Sequence, residues 1–241
     1  MCLRVVTVRL LSAGASRGAD REALHAFVAE VTDTDAGLVR VDRRCPHCGA
    51  TDHGRPEASV AGHPVCIGLA RTPGVTVLAV GPEPIGVDVE RPSRVAAAPL
   101  DDFTDGERRR ASAEVPVPPP AGGSASSPAV DPVAAHLAAC WAVKEAVLKR
   151  DGRGLRVDPL AVEAVLRPPD ARWSVGDHGG PSDGDPVPSG GDHARFAGVV
   201  HPVRVLRPDE DLVLAVAAGG AAVRVQDRRG PTGSGSPTRR S

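Results

Sequence analysis

The tightest condition on this fold is set by Ile85-Gly86-Val87-Asp88-Val89-Glu90. Upstream runs Val75-Thr76-Val77-Leu78-Ala79-Val80, and Gly81-Pro82-Glu83-Pro84 between them has the composition of a turn. Two β-branched runs about a short turn predict a hairpin. The two-residue period of a strand puts Asp88 and Glu90 on one face and Val87 and Val89 on the other. Like charges held that close cost free energy unless a cation or a shared proton relieves them. The solvated outer face of an antiparallel sheet fits the same pattern. The choice between these readings rests on what the rest of the chain brings to the two acids.

Asp131-Pro132 marks a helix start, with the acid at the cap and proline in the first turn. The pattern runs from Val133 to Arg150 and stops at Asp151-Gly152, where glycine tolerates a left-handed ending. Trp141, Glu145 and Leu148 share one stripe, which sets Glu145 among apolar neighbours, with Lys144 and Lys149 flanking it. Glu145 pairing with Lys149 would be a surface bridge of only a few tenths of a kcal/mol. In the functional reading, Glu145 joins Asp88 and Glu90 in a three-carboxylate pocket rimmed by lysines. Three oxygen donors of this kind suit magnesium, or manganese in its place, and the lysines suit a polyphosphate. Together they describe phosphoryl-type transfer, in which positioning and charge neutralisation do most of the catalysis.

Composition narrows the classes. The chain has 241 residues, enough for one large domain or two small ones, and a formal net charge of -1, so no overall field draws nucleic acid or a membrane. Aromatic residues are 2% with no Tyr, which argues against base-stacking platforms. No apolar run reaches membrane-spanning length, and Arg4 and Arg9 interrupt the apolar opening. Five cysteines (Cys2, Cys45, Cys48, Cys66 and Cys140) form an odd, sparse set. A reduced, soluble, cytoplasmic protein is expected.

Elsewhere, Val5 to Leu11 suits an opening strand. Ala19 to Val31 has helical spacing, with Asp20 near its start. Val65 to Ala70 reads as a buried strand, and strand-like runs follow at Ala161 to Leu166, Phe196 to Val200, Val203 to Leu206 and Asp211 to Ala217. Ser112 to Pro132 and Gly176 to Asp192 have loop composition, and Arg228 to Ser241 that of a disordered tail. Cys45-Pro46-His47-Cys48 is half of a zinc site that His47 and His53 would complete; a reduced pair in a surface loop fits as well. Arg71 with Val77-Leu78-Ala79-Val80 is echoed by Arg207 with Val213-Leu214-Ala215-Val216 at identical spacing, a hint of two related halves.

Gly86 to Glu90 (GVDVE) and Trp141 to Lys149 (WAVKEAVLK) resemble the two signature motifs of the 4'-phosphopantetheinyl transferases, in the larger, monomeric, surfactin-synthetase-activating (Sfp-type) branch. His53 to Pro56 (HGRP) resembles that branch's upstream motif, and Leu69 to Gly74 (LARTPG) its adenosine-phosphate-binding turn. The resemblance implies transfer of phosphopantetheine from coenzyme A to a serine of an apo acyl- or peptidyl-carrier protein. It assigns Asp88, Glu90 and Glu145 to the metal, Glu145 also to the serine proton, taken directly or through metal-bound water, and Lys144 and Lys149 to the diphosphate. Arg55, Arg71, Thr72 and Arg44 match coenzyme A contacts, while Trp141 packs the helix.

The resemblance also implies an α+β fold of two similar halves related by a pseudo-two-fold, each a small antiparallel sheet on a main helix, with the active site between them. The expected division is 1–98 and 99–227, with 228–241 as tail. The departures are Ala70-Arg71 where relatives often have Ser-His, and an N-terminal segment without the relatives' basic character. The 112–131 insertion falls where relatives meet the carrier, and Arg108 to Arg110 could meet an acidic carrier helix. Two rival expectations are a non-catalytic homologue that binds carrier or coenzyme A, and a zinc-stabilised interaction module built on Cys45 and Cys48.

Overall fold

The computed structural model describes residues 3–45, 48–51, 54–96, 101–113, 131–167 and 191–230. In chain order these form β1 (Val5–Ser12), α1 (Arg17–Val31), β2 (Val39–Arg44), β3 (Arg55–Val60), β4 (His63–Thr72), β5 (Val75–Gly81), β6 (Gly86–Glu90) and α2 (Pro92–Val95). There follow α3 (Asp105–Ala113), α4 (Pro132–Asp151), β7 (Glu163–Val165), β8 (His193–Phe196), β9 (Val199–Pro202), β10 (Arg204–Asp209), β11 (Leu212–Ala217) and β12 (Ala222–Asp227). The class is α+β. Among the described residues no helix is long and apolar enough to cross a membrane.

Three sheets stack with the helices. α1 lays Leu24, Phe27 and Val28 on the outer face of a six-stranded sheet ordered β12-β1-β5-β4-β3-β2. The inner face of that sheet meets a three-stranded sheet, β10-β11-β6, through Val8, Leu10 and Val77 against Val87, Val89 and Leu214. α4 covers the far side of the second sheet, packing Ala142, Val143 and Ala146 against Val213 and Ala215. The third sheet, β7-β8-β9, closes over α4 from the other side with Ala164 and Phe196.

The expected hairpin between 75–80 and 85–90 does not form. β5 pairs antiparallel with both β1 and β4, so neither of its edges remains for β6, and Pro82 and Pro84 carry the chain across to the second sheet. There β6 pairs with β11, Asp88 opposite Ala215. The alternation nonetheless holds: Val87 and Val89 face the first sheet and Asp88 faces α4. Strands also cross the expected boundary at 98/99, since β6 lies with β10 and β11 while β12 runs parallel to β1 in the six-stranded sheet. The echoed segments fall on two antiparallel hairpins, β4–β5 and β10–β11. Phe196 to Val200, read as one strand, instead contains the turn of the β8–β9 hairpin, with Ala197 (φ 50) and Gly198 (φ 75) left-handed.

The turn after β10 also ties down the start of α2. Asp211 accepts from the Ser93 backbone N–H (2.9 Å), from Ser93 Oγ (2.8 Å) and from Arg91 Nη1 (3.2 Å). Burial pulls its pKa up, but these bonds outweigh it and hold the carboxyl below its ordinary value of 3.8. A depressed carboxyl contributes stability that is present above that ordinary value and lost as pH falls through the folded-state value. Asp211→Asn is therefore expected to lower stability at neutral pH by roughly 1 kcal/mol, and the difference should vanish in strong acid. Urea midpoints at the two pH values check this; an equal difference at both would contradict the assignment.

Candidate functional site

The site begins where α4 crosses β6. A Cβ at Gly86 would fall 1.7 Å from the Ala146 carbonyl oxygen and 2.7 Å from the Arg150 nitrogen, so the helix backbone rests directly on the strand. The helix itself follows its sequence signals. Asp131 accepts from the Val133 N–H at 3.1 Å, Pro132 occupies the first turn, and Gly152 ends it left-handed at φ 90. With that seating, Lys149 Nζ donates to Asp88 Oδ1 at 2.6 Å and lies 3.4 Å from Glu145 Oε2. The bridge between Glu145 and Lys149 is thus present, but both side chains face Asp88 as well.

Asp88 is 4% exposed, and burial pushes its carboxyl up to about 7 despite the opposing Lys149 charge; Glu145 and Glu90 add to the rise. Burial also raises Glu90, outweighing Arg94 and Lys149. Burial disfavours the Lys149 ammonium, yet the Asp88 and Glu145 carboxylates prevail and raise its pKa. Asp88 and Glu145 thus meet one ammonium whose charge also reaches Glu90, and Asp88 Oδ2 is buried with no hydrogen-bond partner among the described residues. An orphaned carboxylate oxygen of this kind fits a hard cation. Among the described residues, however, no three acids, histidines or cysteines stand as a ready metal-ligand set, and Lys149 bridges Asp88 and Glu145.

A cleft of about 510 Å³ opens beside this cluster, between β3 and β4 on one side and the end of α4 on the other. Lys149 lines it together with Arg43, Arg55, Arg71, Arg153 and Arg156, over a floor that includes Ile67, Ile85 and Val87. Lys149 therefore belongs both to the acid cluster and to the cationic cleft. Arg153 is held by Asp151 and stacks over Phe196 at 4.9 Å, which carries its charge on a fixed base. Arg55 approaches the end of α4 at Gly152.

Not all the expected residues gather here. Lys144 is 0% exposed and lies 3.0 Å from Glu107, donating also to the Asp102 and Pro159 carbonyls at 3.0 and 2.9 Å. One residue along a helix is a rotation of about 100°, and Lys144 thereby faces α3 rather than the acids. Glu107 closes a capping box with Thr104 (2.8 and 3.2 Å) and accepts from the Ala164 N–H at 2.8 Å. Lys144→Met is expected to cost about 3 kcal/mol, the low end for breaking a buried pair, since backbone donors still satisfy Glu107. A parent-like urea midpoint would contradict that role.

Thr72 is buried, with Oγ1 lacking a partner among the described residues, and is not part of the cleft wall. The Arg44 backbone pairs opposite Arg55, and its side chain lies outside the described residues, as do His47 and His53. The 114–130 and 168–190 segments, and with them most of both expected loops, lie outside as well, as does 231–241. Trp141 meets Phe103 edge-on at 6.3 Å, in packing. Of the arginine run, Arg110 bonds to the Ala164 carbonyl (2.9 Å) and reaches Glu163 (3.4 Å), tying α3 to β7. Sequence reasoning missed Arg43, Arg153 and Arg156. The last two lie within four residues of Gly152, the glycine that stops α4, which was their one visible signal.

Residues 84–187 match the family model of the 4'-phosphopantetheinyl transferase superfamily. The matched span carries β6, α3, α4 and β7, the acid side of the site, and ends short of β8. The match points to phosphopantetheine transfer as the class of chemistry. No curated protein matches the chain.

Proposed function

We propose that this protein transfers the 4'-phosphopantetheine group from coenzyme A to a serine hydroxyl of an apo acyl- or peptidyl-carrier protein, releasing adenosine 3',5'-bisphosphate. In this reading it is a magnesium-dependent, cytoplasmic monomer of the larger Sfp-type branch, built of two pseudo-two-fold-related halves. The observation that carries the reading is the meeting of Asp88, Glu145 and Lys149 at the end of a cleft walled by arginines.

The cleft suits a ligand with an anionic, phosphate-bearing body and an apolar ring. Arg71 and Arg55 take the adenosine phosphates, with Arg43, Arg153 and Arg156 adding charge around them. Asp88, Glu90 and Glu145 would hold magnesium, to which the orphaned Asp88 Oδ2 is suited; manganese meets the same donors. When bound, the metal supplies positive charge at the diphosphate. Lys149 sits at the junction of cluster and cleft and neutralises the diphosphate oxygens as the leaving group separates. Glu145 Oε2 accepts the proton of the carrier serine, whose Oγ forms the new bond to phosphorus while the bond to the bisphosphate leaving group breaks.

Incubation with coenzyme A, magnesium and a panel of apo carrier proteins, followed by intact mass, tests the proposal. A gain of one phosphopantetheine on at least one carrier is expected. No gain across fatty acid, polyketide and nonribosomal peptide carriers would overturn it.

A further inference from the structure

Asp20 is one of the buried carboxylates that the proposed chemistry leaves unused. Asp20 is 5% exposed, yet both of its oxygens are engaged. Oδ1 accepts from Thr76 Oγ1 at 3.0 Å and from the Gly14 N–H at 3.3 Å, and Oδ2 accepts from Arg71 Nε in a close ion pair. The residue lies in the first turn of α1, where the helix dipole favours negative charge. The loop before the helix wraps it tightly, since a Cβ at Gly14 would come 2.9 Å from Oδ1. This carboxylate is fixed from three sides by the fold and does not depend on Arg71 for its place.

Arg71 reaches Asp20 from β4 while lining the cleft, with its side chain 32% exposed. A guanidinium has five N–H donors in a rigid fork. Nε is taken by Asp20, and the Nη donors have no partner among the described residues. The edge that remains is the one suited to a bidentate grip on an anion. Arg43 stands close enough to feel the Arg71 charge and also lines the cleft, so repulsion would push an untethered Arg71 out towards water.

We propose that Asp20 is a positioning residue for Arg71: it holds Nε so that the Nη edge faces the cleft and grips a phosphate monoester remote from the transferred group. The proposal deepens the reading of the cleft as a coenzyme A site and rests on it. Asp20 thereby sets how strongly the protein prefers coenzyme A over the same molecule without its 3'-phosphate.

Calorimetric binding of coenzyme A and of 3'-dephospho-coenzyme A to the full chain tests this. The set is the parent, Arg71→Ala, Asp20→Ala, Asp20→Asn and the Asp20→Asn/Arg71→Ala pair. Asp20→Asn keeps an Oδ1 acceptor for Thr76 and Gly14 and puts an amide NH2, which cannot accept from Arg71 Nε, in place of Oδ2, so it carries the test if Asp20→Ala fails to fold. Both Asp20 variants are expected to weaken coenzyme A by about tenfold and dephospho-coenzyme A by less than about twofold. The double variant should be no weaker than Arg71→Ala alone, as a shared path requires. Asp20→Asn with parent-like preference, equal weakening of both ligands, or losses that add to those of Arg71→Ala would each overturn the positioning role. A parent that binds neither ligand, or an Arg71→Ala variant that keeps the preference, would bring down the underlying reading of the cleft, and this proposal with it.

Discussion

Asp88→Ala and Glu145→Ala are each expected to reduce carrier modification by about 10³-fold or more, the scale seen when charge stabilisation of a transferring group is removed. Asp88 is the acid that cannot be substituted by a neighbour. It projects from the middle of β6 towards α4, is closed off from water, and offers Oδ1 to Lys149 while Oδ2 has no partner among the described residues. Glu145 reaches the same cluster from α4, with its side chain 13% exposed. The fold should survive both changes. Burial already pushes the Asp88 carboxyl up to about 7, and when either acid is removed the other remains to pair with Lys149. Mass gain on an apo carrier is the readout, with circular dichroism as the control. Parent-like turnover in either variant would sink the assignment of the acids.

Gly86→Ala is expected to cost more than about 4 kcal/mol, enough to unfold a protein of ordinary stability. The added methyl would stand 1.7 Å from a helix carbonyl, and neither that backbone nor the strand, paired to β11, has room to retreat cheaply. Any chain that still folded would have to lift α4 away from β6. That shift would part Lys149 from Asp88, so activity in the folded fraction should fall as well. Urea unfolding and carrier modification measured on the same preparation check both. A parent-like midpoint would mean that helix and strand are not seated against one another as described.

The sequence made the acids of the site easy to find and its surroundings hard. Period two oriented Asp88 correctly whichever strand β6 paired with, because alternation is a property of one strand alone. Pairing is not local: β5 had already filled both its edges, and nothing between 81 and 85 reveals that. α4 was legible at both ends because its cap acid, proline and glycine act within a turn. Lys144 was misplaced for the opposite reason, since its partner Glu107 lies on another helix and their burial is a tertiary fact. The capping box of Thr104 and Glu107 was open to reading and would have announced α3. Asp20 looked like an ordinary first-turn acid, and only the arrival of β4 and β5 beside α1 turns it into a partner for Arg71.

The pairing of β12 alongside β1 has a consequence for how the chain is made. Arg9 and Gln226, bonded across those strands at 2.9 Å, are 217 residues apart. On the ribosome the first strand therefore emerges long before its flank is synthesised, and one rim of the largest sheet stays open through that interval. Contacts of such long sequence separation slow folding and leave strand edges exposed to wrong partners in the meantime. Premature termination before Ala222 would leave that rim uncovered for good, in a protein whose acids, cleft and helix had all been completed.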